Sequence, residues 1–412
     1  VYNTRIPALE HKMRIPNPIS SDEYTSPEAG RVLRLLVMAG FSLSFGFSAW
    51  GAIFNNFAYE ELGLAAEQVG YIQSLREIPG LLGFVLGYVV MLVPEMRLVG
   101  LCVALLGAGL LITGQATGFG VLLLGTMVMS IGFHFFDSAN ASLILTFARK
   151  EHAPKLLGTL ASIGAVAAVT GNLAIVALAG SLGYRPLIYL LGGLTLAAGL
   201  FVSLLGRQEA TVKVRRKVIF RRRYWLYYLL TFLMGSRRHI FTTFAIFLLV
   251  SVYRVSVQQT ATLFLANSII TVFCYRLIGQ LTARFGERAV LTANFVLLAM
   301  IFTGYAYITS LPVLVLFFII DNALFGSSLA IRTYFQKMAV TQEEITSNVS
   351  MGQTINHLSA VFVPALGGVL WRLYGYQATF LAGTVIVLLS LVLTQWVRVE
   401  RSAAPEMEPA GS

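Results

Sequence analysis

"GYVVMLVPEMRLV" (Gly87–Val99) and "GQLTARFGERAVL" (Gly279–Leu291) are short polar breaks between long apolar runs. They lie 192 residues apart and share Gly at the first position and Glu at the ninth. The same offset aligns Gly183-Tyr184 in "LGYRPLIYLLGG" with Gly375-Tyr376 in "YGYQATFLAGT". Around "LGLAAEQVG" (Leu62–Gly70) and "YRVSVQQTA" (Tyr253–Ala261) the best offset is 191, a one-residue slip within a loop. A single offset recurring along the chain marks an internal duplication, a frequent building plan of membrane proteins with parallel halves.

The runs between these breaks set the class. The 412 residues are 57% hydrophobic and 12% charged, with a mean hydropathy of +0.75, beyond the range of a soluble domain. Apolar stretches long enough to cross ~30 Å of hydrocarbon recur near 32–59, 68–92, 97–116, 119–148, 154–180, 185–206, 224–250, 257–281, 288–307, 311–338, 345–371 and 376–397. The expected fold is an all-α membrane protein of twelve transmembrane helices in two six-helix bundles related by a pseudo-two-fold repeat. The expected organisation is a polar tail 1–30, bundles 31–206 and 224–398, a basic linker 207–223 and a tail 399–412.

The net charge of +11 is a topological signal. With both termini in the cytoplasm, most Lys and Arg fall on inner tails, loops and helix ends, and Arg185, Arg254 and Arg372 fall outside. That asymmetry follows the positive-inside rule and needs no nucleic acid to explain it. Cys102 and Cys274 sit in apolar spans as small hydrophobes, without a disulfide framework. The polar N-terminal segment has no cleavable-signal core, so the first span serves as the insertion signal.

Twelve spans, a central basic linker and the repeated loop give a chain that resembles the major facilitator superfamily over about residues 31–398. That family's loop motif, GxLaDrxGrrxxl, is carried in the second half by Gly279, Leu281, Arg284, Gly286, Glu287 and Arg288. The first copy is eroded, and Pro94 stands where the motif has its second glycine. The resemblance implies alternating access between two halves, with the first, fourth, seventh and tenth helices lining a central cavity. It also makes Gly279, Arg284, Gly286 and Arg288 gate residues, with Arg276 and Arg332 near the same inner ends.

Charges inside the spans nominate the site, because an ionised side chain at mid-membrane costs on the order of 2.5–3.5 kcal/mol unless it meets a partner or a wet cavity. In "LLTFLMGSRRHIFTTFAIFLLV" (Leu229–Val250), Arg237, Arg238 and His239 lie near the middle of the seventh span. Adjacent helix positions are ~100° apart, so the two arginines face different ways, one toward the cavity and one toward a neighbouring helix. Gly235 and Ser236 allow close helix approach or local unwinding there.

The fourth span aligns His134, Asp137 and Ala141 on one face, with Asn140 beside them, and the tenth aligns Asp321, Ser328 and Arg332. The eleventh contributes Gln353, Asn356 and His357. Within the spans only Glu77, Asp137 and Asp321 oppose Arg76, Arg237, Arg238, Arg276 and Arg332, so the balance is cationic. Arg76 and Glu77 read as a compensated pair toward the outer end of the second span, with Glu77 available as a titratable gate residue.

The expected function is secondary transport of a small organic anion, coupled to protons, in a bacterial cytoplasmic membrane. Substrate contacts fall to Arg237, Arg238, His239, Gln353, Asn356 and His357, and proton coupling to Asp137, His134, Asp321 and Glu77. The expected partners are the anion, protons and membrane lipid, with a monomeric chain. No Walker loop, nucleophile elbow or HExxH motif is present, so ATP-driven or enzymatic chemistry has no support in the sequence. No cofactor or metal is expected: His134, His239 and His357 lack ligand spacing and would need several helices to converge. The competing readings are an efflux antiporter for amphiphilic drugs and a non-transporting sensor or assembly factor. Against the antiporter stand a first span without an acidic residue and a fifth span, "ASIGAVAAVTGNLA", without a proline.

Overall fold

The computed structural model describes residues 26–82, 93–147, 152–206 and 220–398, and the tails, most of the linker and residues 87–92 of the first loop copy lie outside them. Among the described residues the chain is helical throughout. The first half comprises α1 (Pro27–Asn56, continued by a π-helical turn Phe57–Glu61), α2 (Ala66–Leu75, resuming at Ile78–Leu81), α3 (Glu95–Gly114), α4 (Phe119–Phe147), α5 (Ala153–Leu182) and α6 (Tyr184–Leu205). The second comprises α7 (Trp225–Ile240, a π-helical turn Phe241–Ala245, then Ile246–Ser251), α8 (Val257–Phe285), α9 (Glu287–Tyr307), α10 (Leu311–Ala323, a 3-10 turn Leu324–Ser327, then Ser328–Met338), α11 (Gln342–Tyr374) and α12 (Tyr376–Thr394). Among the described residues, eleven helices are long and apolar enough to cross a membrane. The remaining one is α2, whose described part stops at 82.

Helix starts follow their capping chemistry. Ser26 accepts a hydrogen bond from Ala29 N ahead of Pro27, and Ser256 and Gln259 form a reciprocal capping box at α8. Thr341 accepts from Glu344 N at the start of α11.

The duplication is visible in the turns. Gly183 and Gly375, related by the 192-residue offset, both adopt a positive φ (72° and 82°) in one-residue connections, α5 to α6 and α11 to α12. A side chain there would strain the backbone. Gly63 and Arg254, related by the 191-residue offset, occupy the left-handed region at φ 63° and 58° in the α1–α2 and α7–α8 turns. Arg254 is the one non-glycine there among the described residues, and its guanidinium stacks over the Tyr59 ring of the first half at 4.9 Å.

The halves meet mainly at the end remote from the chain termini. Asn56 donates to Val255 O (2.8 Å) and accepts from Thr260 Oγ1 (3.1 Å). Ala365 N donates to Ser74 Oγ (2.8 Å), and Arg372 pairs with Glu67 (2.6 Å). At Gly70 the α2 backbone lies so close to the Pro364 carbonyl that a Cβ has no room. At the termini end the described ion pairs stay within one half: Glu344 accepts from Arg223 (2.7 Å) and Tyr224 (2.6 Å), and Lys337 meets Glu287. Among the described residues, the contacts of Asn56, Ala365 and Arg372 join the halves at the far end.

Candidate functional site

Adjacent arginines on α7 face different surroundings. Arg237 is wholly buried and donates from Nη1 to Asp321 Oδ1 of α10 at 2.6 Å, with Asp321 equally buried. Its Nε points at Met234 Sδ (3.4 Å), while its Nη2 and Asp321 Oδ2 have no partner. Arg238, one residue on, is solvent-accessible, and among the described residues no carboxylate lies within ion-pair distance of it. Both guanidiniums stack on Phe325, Arg237 at 4.7 Å and Arg238 at 5.3 Å from the ring centroid. Phe325 stands in the 3-10 turn of α10, so the break in that helix sets the ring beside both charges.

The charged and phenolic groups that act electrostatically on Arg238 come from both halves: Tyr275 and Arg332 from the second, Glu77 and Arg76 from the first. Asp137, on α4, is likewise exposed and within electrostatic reach of His357 on α11. Gln353, one turn from His357 toward the termini, is exposed too. His239 is half-buried, with an unpartnered Nε2, and senses Glu77, Arg238, Arg76 and His357. Asn356 lies against α7, where a Cβ on Gly235 would stand 3.1 Å from its Oδ1 and 2.5 Å from Ser359 Oγ. Gly235 thus allows close helix approach, and α7 stays helical through Ser236.

The second polar group lies deeper toward the far end. Glu77, expected near the outer end of the second span, is eleven residues into α2, roughly 16 Å from its start. Its Oε1 pairs with Arg76 Nη2 (2.9 Å); its Oε2 meets His357 Nδ1 (3.0 Å) and lies 3.8 Å from His134 Nε2. The local pair is therefore also a junction of α2, α4 and α11, and it joins the two halves. Arg76 lies over Trp50 at 5.1 Å and Phe47 at 5.8 Å, and its carbonyl accepts from Ser130 Oγ of α4. Gly80 leaves room for both imidazoles, since a Cβ there would stand 2.6 Å from His357 Cε1 and 3.0 Å from His134 Cε1.

The loop residues assigned to the gate act within the second half in this conformation. Gly286 is the positive-φ hinge between α8 and α9 (84°), and Gly279 faces Leu329 of α10. Arg284 stacks on its neighbour Phe285, and Arg288 donates to Gln395 Oε1 (3.0 Å) of α12. Arg276 and Arg332 are exposed.

Sequence reasoning missed Phe325, Tyr275, Trp50 and Gly80. Tyr275 had a local signal as a phenol beside Arg276 in an apolar run, and Gly80 had one in its place one turn after Glu77. Phe325 and Trp50 had none, because each is recognised only through an arginine from another helix.

A family model described as Major Facilitator Superfamily matches residues 36–344 and 229–411. A comparison with curated proteins gives no match. Among solved structures, a mutant form of the nucleoside transporter NupG superposes with a TM-score of 0.74 at 14% identity, covering 89% of this chain and 99% of that one. A bacterial homolog of the human lysosomal transporter Spinster, in an inward-facing and unoccupied conformation, gives 0.72 at 15% identity, covering 90% and 97%. At these identities the likeness is one of fold.

Proposed function

The chain belongs to the Major Facilitator Superfamily of membrane transporters, and from that premise we propose that it moves a small organic anion by proton-coupled alternating access. The observation that carries the anionic substrate is Arg238: an accessible guanidinium at mid-depth, stacked on Phe325 and without a carboxylate partner among the described residues. A cation of this kind without a carboxylate partner is stabilised by a carboxylate or phosphate, which a guanidinium holds through two parallel hydrogen bonds. Gln353 and Asn356 supply neutral polar contacts, and His239 and His357 border the same space.

Proton coupling falls to Asp137, because it is accessible and lies within electrostatic reach of His357 of the other half. Protonation there removes a charge that the anion would otherwise meet, so proton and anion enter together. Asp321 is the weaker candidate, being enclosed with Arg237. With the termini in the cytoplasm, as the positive-inside bias of the sequence favours, the end that joins the halves faces outward. Arg284 and Arg288 have no acidic partner among the described residues in this state and would engage one when the inner end closes.

The test is transport in proteoliposomes after a thermal-shift screen of organic anions and cations has found a ligand. An anion should stabilise the protein, Asp137→Asn should abolish accumulation driven by a pH gradient, and counterflow exchange should persist. Stabilisation by cations alone, or normal accumulation by Asp137→Asn, would contradict the reading.

A further inference from the structure

We propose that Glu77, His134 and His357 form a binding site for a divalent d-block cation of the zinc class, bridging the two halves at mid-depth. One ligand atom from each residue, on α2, α4 and α11, falls within 4.8 Å of the other two. Glu77 Oε2 is 3.0 Å from His357 Nδ1 and 3.8 Å from His134 Nε2. Zinc–ligand bonds of ~2.0–2.1 Å at tetrahedral angles put donor atoms about 3.3 Å apart. The pairs at 3.0 and 3.8 Å flank that spacing, and all three donor atoms lie within 4.8 Å of one another.

The surroundings support a ligand cluster beyond proximity. The two imidazoles meet edge to face, with centroids 4.9 Å apart at 80°, so neither ring covers the other's nitrogens. Gly80 is the residue whose missing side chain lets both rings approach. The second oxygen of Glu77 is held by Arg76 at 2.9 Å, and Arg76 is itself fixed over Trp50 and by the bond from Ser130 to its carbonyl. A ligating carboxylate whose other oxygen is anchored is the usual outer-shell arrangement of metal sites. His239 Nε2 on α7 is buried and has no partner, but it lies outside the group of atoms within 4.8 Å of one another.

The donor set selects the ion. Two imidazoles and one carboxylate suit Zn2+ and its d-block neighbours, whereas Mg2+ and Ca2+ require more oxygen ligands than a single Glu supplies. The Arg76–Glu77 pair cancels in charge, so attraction rests on neutral nitrogen donors, which again favours the softer ions. Because His357 belongs to one half and Glu77 and His134 to the other, occupancy ties the two halves together.

The experiment is calorimetric titration of the purified full chain in detergent with Zn2+ and, separately, Mg2+, without organic anion, so its outcome is independent of the transport reading. The expected result is about one Zn2+ per chain, no Mg2+ binding, and at least tenfold weaker Zn2+ binding in both His134→Ala and His357→Ala. His152→Ala, at the N-cap of α5 and outside this group, should leave Zn2+ binding unchanged. His357→Gln, which keeps a hydrogen-bonding partner for Glu77, repeats the test if the alanine variant fails to fold. No Zn2+ binding to the parent protein, or affinity retained in the His134 and His357 variants, would overturn the proposal.

Discussion

Two charge clusters lie at mid-depth, and they differ in what balances them. Arg237 and Asp321 balance one another's charge inside the second half, at zero exposure and 2.6 Å. Glu77 is shared among Arg76, His134 and His357, with two elements from its own half and one from the other, and its charge acts at longer range on the accessible Arg238. A buried pair within one bundle does not change when the bundles rock. A cluster that spans the bundles must break and re-form whenever they do. The comparison separates charge that maintains a half from charge that responds to its movement.

The largest expected effect lies in the enclosed pair. Arg237→Ala or Asp321→Ala leaves an uncompensated buried charge and should destabilise by about 3–5 kcal/mol, read as a lowered unfolding temperature in detergent. The double change Arg237→Met with Asp321→Leu removes both charges and should recover most of that loss. If the single and double variants are equally unstable, the pair is not acting through charge.

Next in size is Gly80→Ala. Its methyl group would press on both imidazoles, and overpacking of this kind typically costs ~1–3 kcal/mol. The strain falls on the contact between halves, so the far end should open more often, which spin-label distances across it would record as a longer population. An unchanged distribution would mean that the junction of α2, α4 and α11 does not help to hold the halves together.

The smallest effect belongs to Glu67 and Arg372 at the far-end contact between the halves. The hydrogen bond from Arg372 holds the Glu67 carboxyl below its usual range, helped by Tyr71. A depressed carboxylate contributes to closure above its unfolded value of about 4.3 and stops contributing as pH falls through the lower folded value. Far-end distances should therefore be constant from pH 7 to 5 and lengthen only in stronger acid, and Glu67→Gln should remove that acid-dependent change.

The sequence made the helices and their duplication legible, because both are local: apolar runs of membrane length, and glycines such as Gly183 and Gly375 that return with the same backbone conformation. The divergence of Arg237 and Arg238 followed from helical geometry alone. Their assignment did not, since Asp321 lies 84 residues from Arg237 and only packing of α7 on α10 brings them together. Glu77 and His357 are 280 residues apart, and no local pattern announces their contact. For the same reason His134 and His357 carried no spacing signal as ligands. The eroded first loop copy gave little to read, and its residues 87–92 lie outside those described.

The central claim is that Arg238 meets the substrate while Arg237 serves the fold, and affinity for an anionic ligand, measured in parallel on two variants, tests it most directly. Arg238→Ala should weaken binding at least tenfold, as expected for a charge-assisted hydrogen bond of about 1.5–3 kcal/mol, with the unfolding temperature of the ligand-free protein unchanged. Arg237→Met with Asp321→Leu should bind the anion as the parent does. Parental affinity in the Arg238 variant, or a tenfold loss in the folded double variant, would contradict the account.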